Sequence, residues 1–106
     1  MNLLRRPHRD GPGFAVVVHP RVVKELKRLE RAGRRDVVER VREAVRLMED
    51  DPITPRVRFD IRMVQGAPEG TFRLRIGDYR VLFEVDIDPK VVNVTRVSRR
   101  PSAYRF

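Results

Sequence analysis

The segment 70–86, GTFRLRIGDYRVLFEVD, constrains the fold most, because it predicts two β-strands joined by a tight turn. Apolar and polar residues alternate on both sides of Gly77-Asp78, and this period of two is typical of strands that bury one face. Glycine at the first position of a two-residue loop favours a type II′ turn, which suits a β-hairpin. We therefore predict strands at Thr71–Ile76 and Tyr79–Asp86.

The segments around this hairpin predict two helices and two more strands. Residues 14–18, FAVVV, are rich in β-branched side chains and predict a short buried strand. Residues 21–33 and 34–51 have apolar residues at helical spacing, with a break at Gly33, and predict two antiparallel amphipathic helices. Residues 91–97 predict a further strand. The predicted buried stripes comprise Val22, Val23, Leu26 and Leu29 on the first helix, and Val37, Val38, Val41, Ala44, Val45 and Met48 on the second.

Residues 53–70 give the least regular pattern. Apolar residues alternate with charged ones between Pro55 and Pro68, which indicates an extended segment but not which strand it pairs with. The order of elements is then β-α-α-β-β-β. It predicts an α+β fold in which an antiparallel sheet packs on an N-terminal helical hairpin.

The length and the termini indicate one domain with a short extension. A chain of 106 residues suits a single domain, which we assign to residues 14–106. Residues 1–13 are basic and rich in proline and glycine, and we predict a flexible basic arm there. The apolar part of this arm is too short for a signal peptide, and the chain has no long apolar run. We therefore expect a cytoplasmic protein.

The composition narrows the possible functions. A net charge of +9 favours a polyanionic partner, which includes nucleic acid, an acidic protein and an anionic membrane, although basic proteins without such a partner also exist. The absence of cysteine excludes disulfides, thiolate nucleophiles and cysteine zinc sites. His8 and His19 lie far from the hairpin in sequence, so a histidine-pair ribonuclease is not expected. We predict neither a metal nor another cofactor.

Three arginines in the hairpin are the candidate functional residues. Arg73 and Arg75 point away from the apolar face of their strand, and Arg80 lies beside them across the turn. Such a cluster suits an anion, because guanidinium groups bind phosphate oxygens bidentately. An internal arginine–carboxylate network is the alternative, and the spacing leaves both open. Its acidic partners would be Asp60, Asp78, Glu84 or Asp86.

The stretches FRLRIGDYRVLFEVD, VTRVSRRPSAYR and MVQG, together with the strand–helix–helix order before them, resemble the RelE/ParE superfamily of bacterial toxins. The resemblance covers roughly residues 14–105. It implies a RelE-like fold of the microbial ribonuclease type and a toxin that a cognate acidic antitoxin protein neutralises. RelE-type members are ribosome-dependent endoribonucleases. They cleave messenger RNA in the decoding site by attack of the 2′-hydroxyl on the adjacent phosphate.

The same resemblance implies which residues act. Arg73 and Arg75 match the two basic positions of the first hairpin strand, and Arg80 matches the arginine of the second. Arg100 and Tyr104 match an arginine and a tyrosine that follow the last strand. Arginine does not readily deprotonate, so we assign the arginines to phosphate binding and Tyr104 to orienting or activating the reactants. Arg96, Arg99 and Arg105 are further candidates for RNA contact.

The chain also departs from the family pattern. It has arginine in the hairpin where the best-known RelE proteins have lysine, and Ser98-Arg99 where a Gly-His or Gly-Lys pair is common. Two other functions therefore stay open. One is inhibition of DNA gyrase, as in ParE-type relatives, which share the fold but generally lack this full basic set. The other is a basic RNA-binding module without catalytic activity. No membrane partner is expected.

Overall fold

Two helices pack on one face of a five-stranded sheet in the computed structural model, which describes residues 13–53 and 59–99. The predicted α+β fold class is confirmed, whereas the predicted N-terminal arm lies outside the described residues apart from Gly13. Within those residues, no helix is long and apolar enough to cross a membrane. The elements are β1 (Ala15–Val18), α1 (Pro20–Arg31), α2 (Arg35–Met48), β2 (Asp60–Met63), β3 (Thr71–Ile76), β4 (Tyr79–Asp86) and β5 (Val91–Ser98).

The strand order in the sheet is β1-β5-β4-β3-β2. Strands β3, β4 and β5 form the predicted antiparallel meander. Strand β1 pairs with β5 in parallel, which requires a long crossover connection between them, and the helices lie within that connection. The extended segment near residue 60 becomes β2, which pairs antiparallel with β3 at the edge of the sheet.

The core lies between the helices and one face of the sheet. The predicted apolar stripes of both helices are buried there, except that Val45 is half-buried. On the sheet side, Val81 and Phe83 of the central strand β4 are fully buried. Phe83 stacks on Phe72 with 5.8 Å between the ring centroids. This packing fixes one face of the β3–β4 hairpin on the helices and leaves Arg73, Arg75 and Arg80 on the opposite face, where Arg75 is exposed.

The first helix begins at a cap built by His19. Its Nδ1 accepts a hydrogen bond from the backbone N–H of Arg21 at 3.0 Å, and Pro20 occupies the first turn. This contact assigns His19 a structural role. At the start of α2, Arg34 donates from Nε to Oδ1 of Asp36 at 3.2 Å, and this hydrogen bond lowers the pKa of the Asp36 carboxyl. Asp36 is thus the acidic residue in the first turn of α2.

Gly70 enters β3 in a backbone conformation that requires glycine. Its φ is 87°, and an added Cβ would lie only 3.0 Å from the carbonyl oxygen of Val85. We expect Gly70→Ala to lower the free energy of unfolding by about 3 kcal/mol, measured by urea denaturation. Gly66→Ala is the matched control, because Gly66 has a φ of 83° but open space around it. Its expected loss is about 1 kcal/mol, and equal losses at the two sites would contradict the Val85 contact.

Candidate functional site

The turn of the β3–β4 hairpin sets the register of the site. Gly77 has a φ of 56°, and Asp78 is not among the residues with positive φ, a combination that fits the predicted type II′ turn. The two-residue loop places Ile76 opposite Tyr79 and therefore Arg75 directly opposite Arg80. Directly opposed residues in antiparallel strands have Cβ atoms about 5 Å apart. The turn thus places two arginines side by side on neighbouring strands.

One face of the sheet carries the described arginines of the candidate site. In β3 and β4, Leu74, Ile76 and Val81 are buried in the core, so the residues between them point to the opposite face. We call this outer surface the arginine face, defined by the side chains of Arg73, Arg75, Arg80 and Arg96.

Cross-strand pairing arranges this face in two rows. One row runs from Arg75 through Arg80 to Ser98, across β3, β4 and β5. The other runs from Arg73 through Leu82 to Arg96. Neighbouring strands lie about 4.8 Å apart, and alternate residues along a strand lie about 6.6 Å apart. The backbone positions of these four arginines therefore span an area that matches a short stretch of nucleic-acid backbone.

A β-bulge in β5 puts Arg96 and Ser98 on the arginine face. Leu82 pairs with Arg96 and Phe83 with Val94, so Thr95 is an extra residue between two pairs. Strict alternation from Val94 would have pointed Arg96 into the core. The bulge reverses the alternation, and Thr95 holds it by donating from Oγ1 to the carbonyl oxygen of Leu82 at 3.3 Å.

Acidic residues that the structure describes lie near the arginine face, with Asp60 directly opposite Arg75, but they do not pair with its arginines. Across residues 13–53 and 59–99, none of its four arginines forms an ion pair. The ion pair at this end of the sheet joins Nε of Arg62 to Oδ1 of Asp60 at 3.2 Å. The alternative of an internal network through Asp60, Asp78, Glu84 or Asp86 is therefore absent from the described part of the chain.

Three side-chain atoms on the arginine face are buried without a hydrogen-bond partner. They are Nη1 of Arg73, Oγ1 of Thr71 and Oγ of Ser98. Leaving a buried polar group unpaired costs about 1–3 kcal/mol, so such atoms are rare in native proteins without a functional reason. Leu82, only 4% exposed, adds an apolar side chain to the middle of this face. The unpaired atoms suit a ligand that carries hydrogen-bond acceptors.

The structure brings together some of the predicted site residues and leaves others aside. Arg73, Arg75, Arg80 and Arg96 share one face, and Arg99 is exposed directly after β5. Arg100, Tyr104 and Arg105 lie outside the described residues. Sequence analysis missed Thr71, although alternation in β3 places it on the side of Arg73. No cluster of three potential metal-ligating side chains occurs in residues 13–53 and 59–99.

A separate groove lies on the helical side of the molecule. Its volume is about 430 Å³, and its apolar lining comes from β1, α1, α2 and β5. Lys27, Arg42 and Arg46 stand at this groove together with the acidic Glu30. An apolar groove with a mostly basic rim suits an amphipathic segment that carries acidic residues. The apolar lining residues are Val18, Val22, Val23, Leu26, Val41, Val45 and Val94.

Comparisons with known proteins agree with this architecture. A family model described as the ParE toxin of the type II toxin–antitoxin system parDE matches residues 16–104. A protein described as the toxin RelE1, from Methanocaldococcus jannaschii, is 34% identical over 92 residues, which are 87% of this chain and 96% of the relative. The archaeal RelE–RelB complex from Pyrococcus horikoshii OT3 is similar with a TM-score of 0.67 and 32% identity, over 84% of this chain and 97% of the matched one. The toxin–antitoxin complex RelBE2 from Mycobacterium tuberculosis shares the fold, with a TM-score of 0.63 and 22% identity over 85% and 100% of the two chains.

Proposed function

Because the chain belongs to the RelE/ParE family of type II toxin–antitoxin toxins, we propose that it is a ribosome-dependent endoribonuclease that cleaves messenger RNA. The observation that carries this proposal is the arginine face, where Arg75 and Arg80 are directly opposed and lack ion pairs within the described residues. Two arginines that face each other across neighbouring strands without ion pairs repel each other. A phosphate group between them removes that repulsion and uses both sets of donors.

The proposed reaction is attack of a ribose 2′-hydroxyl on the adjacent phosphorus. Arg75, Arg80 and Arg73 hold the phosphate oxygens and stabilise the extra negative charge that develops on them. Arginine transfers no proton at neutral pH, so proton transfer falls to another group, for which we propose Tyr104, with Arg100 as a further phosphate ligand. Neither residue lies in the described part of the chain.

This division of roles explains why the ribosome would be needed. Without an efficient general base, a ribonuclease loses roughly 10²–10⁴ in rate, and free RNA rarely adopts the in-line geometry of attack. Holding the strand in that geometry recovers much of the loss, because positioning alone is worth several orders of magnitude. We therefore propose that the decoding site positions the strand while the arginine face supplies charge.

A second candidate function is inhibition of DNA gyrase. The observation that favours it is the match of residues 16–104 to a family model described as a ParE toxin. In this case the arginine face would bind an anionic surface without cleaving it. The four arginines that the described residues place on that face favour the ribonuclease, because a cluster of guanidinium groups suits phosphate binding.

The proposed protein partner is an acidic antitoxin. The similar structure from Pyrococcus horikoshii is a RelE–RelB complex, and this chain has a net charge of +9. The groove between α1 and α2 offers apolar side chains beside Lys27 and Arg46. We propose that an amphipathic acidic segment of the antitoxin packs there, with its carboxylates on the basic rim.

The proposal is tested by inducing the chain alone in a bacterium. We expect growth arrest, new 5′ ends inside translated messenger RNAs and unchanged gyrase supercoiling. We also expect a neighbouring reading frame to encode a small acidic protein whose co-expression restores growth. In vitro, the purified protein should cut messenger RNA on translating ribosomes and leave the same free RNA intact. Intact messenger RNA with inhibited gyrase would establish the second candidate. Absence of arrest with salt-sensitive RNA binding would leave only a non-catalytic RNA-binding module.

A further inference from the structure

We propose that Ser98 is an RNA-binding residue whose hydroxyl accepts a hydrogen bond from the ribose 2′-hydroxyl at the cleaved linkage. This inference rests on the proposed ribonuclease function and adds to it a contact that orients the attacking group. It also gives the site a means of distinguishing RNA from DNA, which lacks the 2′-hydroxyl.

The position of Ser98 places it beside the arginine pair. It is the last residue of β5 and lies directly opposite Arg80, which in turn lies opposite Arg75. Val97 is buried in the core, so Ser98 points to the arginine face. The bulge at Thr95 is responsible, because without it Ser98 would share the core side with Val94.

The state of the Ser98 hydroxyl indicates that it awaits a ligand. Its Oγ is buried and makes no hydrogen bond in the described part of the chain, although Arg80 stands opposite as a potential donor. A hydroxyl can donate one hydrogen bond and accept two. Burying it unused is unfavourable for folding, and a ligand that supplies the missing partner removes that cost.

The hydrogen-bonding groups of the row that runs from Arg75 through Arg80 to Ser98 favour the 2′-hydroxyl as that ligand. Arginine only donates hydrogen bonds, so Arg75 and Arg80 serve phosphate oxygens but not the proton of an attacking hydroxyl. A carboxylate in the same row, Asp60, already accepts from Arg62, and Glu84 lies about 13 Å along β4 from Arg80. Among the described residues, Ser98 is therefore the neutral side-chain acceptor in the row of the paired arginines. It orients the 2′-hydroxyl and relays its proton: Ser98 Oγ takes the proton of the attacking hydroxyl as its own hydroxyl proton passes to the general base, so Ser98 gains no net proton.

The test measures single-turnover cleavage on programmed ribosomes at saturating protein. We expect Ser98→Ala to slow cleavage by about 10-fold, as for loss of one hydrogen bond, and Ser98→Thr, which keeps the hydroxyl, to stay within about 3-fold of the wild type. Asn93→Ala is the matched control, because Asn93 is a polar residue on the same side of β5, opposite Glu84. This variant should cleave messenger RNA at the wild-type rate.

A second measurement separates substrate contact from a structural role. On ribosomes, the wild type should bind messenger RNA about 5-fold more tightly than the same RNA with a 2′-deoxynucleotide at the cleavage position. Ser98→Ala should bind both equally, and its melting temperature should be unchanged or higher because an unpaired buried hydroxyl is removed.

The outcomes distinguish this inference from the function on which it rests. Wild-type cleavage with an equally active Ser98→Ala variant would overturn the Ser98 contact alone. Persistence of the deoxynucleotide discrimination in Ser98→Ala would do the same, whatever the stability of that variant. Absence of cleavage by the wild type would overturn both proposals.

Discussion

Arg75→Ala is expected to lower the rate of messenger RNA cleavage on translating ribosomes by about 10²–10³-fold, the usual cost of removing one preorganised donor to transition-state charge. Arg75 is exposed, lies outside the core and forms no ion pair within the described residues. Its removal should therefore leave the fold intact. The measurement is single-turnover cleavage at saturating protein, so that a change in ribosome affinity does not obscure the chemical step.

The control for this prediction is Arg28→Ala, which removes the same charge from the exposed face of α1. Arg28 already pairs with Glu25, with Nη2 and Oε2 2.6 Å apart, so its loss should change cleavage by less than about 2-fold. The cleavage rate of Arg75→Lys should lie between those of the wild type and Arg75→Ala, because lysine keeps the charge and loses the bidentate fork. If both alanine variants slowed cleavage equally, net charge and not the arginine face would determine activity.

The sequence predicted the hairpin and the helices because their signals are local. The alternation in Thr71–Ile76 and the glycine of the turn each act over a few residues, so the strands, the turn and the outward direction of Arg73 follow from spacing alone. The burial of the helix stripes was predictable for the same reason.

The pairing of distant segments could not be predicted from such local signals. The parallel pairing of β1 with β5 and the edge position of β2 depend on how the helices fold back over the sheet. The bulge at Thr95 breaks the period of two, since the buried valines stand at 92, 94 and 97, but the spacing alone does not say where the extra residue lies or which face Arg96 takes. This bulge decides that Arg96 and Ser98 face outward. The candidate site was therefore predictable in β3 and β4 and only partly in β5.

Arg80→Glu is expected to separate stability from activity. The new carboxylate would lie directly opposite Arg75, and a cross-strand pair of opposite charges should raise the free energy of unfolding by about 0.5–1 kcal/mol over the wild type, where two cations face each other. Cleavage should fall by at least about 10³-fold, because one phosphate ligand is lost and the other is occupied internally. The measurements are urea denaturation and single-turnover cleavage.

The matched variant is Arg80→Gln, which removes the cation without creating a pair. It should lose cleavage activity and gain less stability than Arg80→Glu, since only the repulsion with Arg75 is relieved. If removing a charge from the site abolishes activity and stabilises the fold, that charge is placed to bind a ligand and not to stabilise the folded protein. If Arg80→Glu were less stable than the wild type, the two guanidinium groups would not face each other in solution, and the phosphate site proposed between them would have no basis.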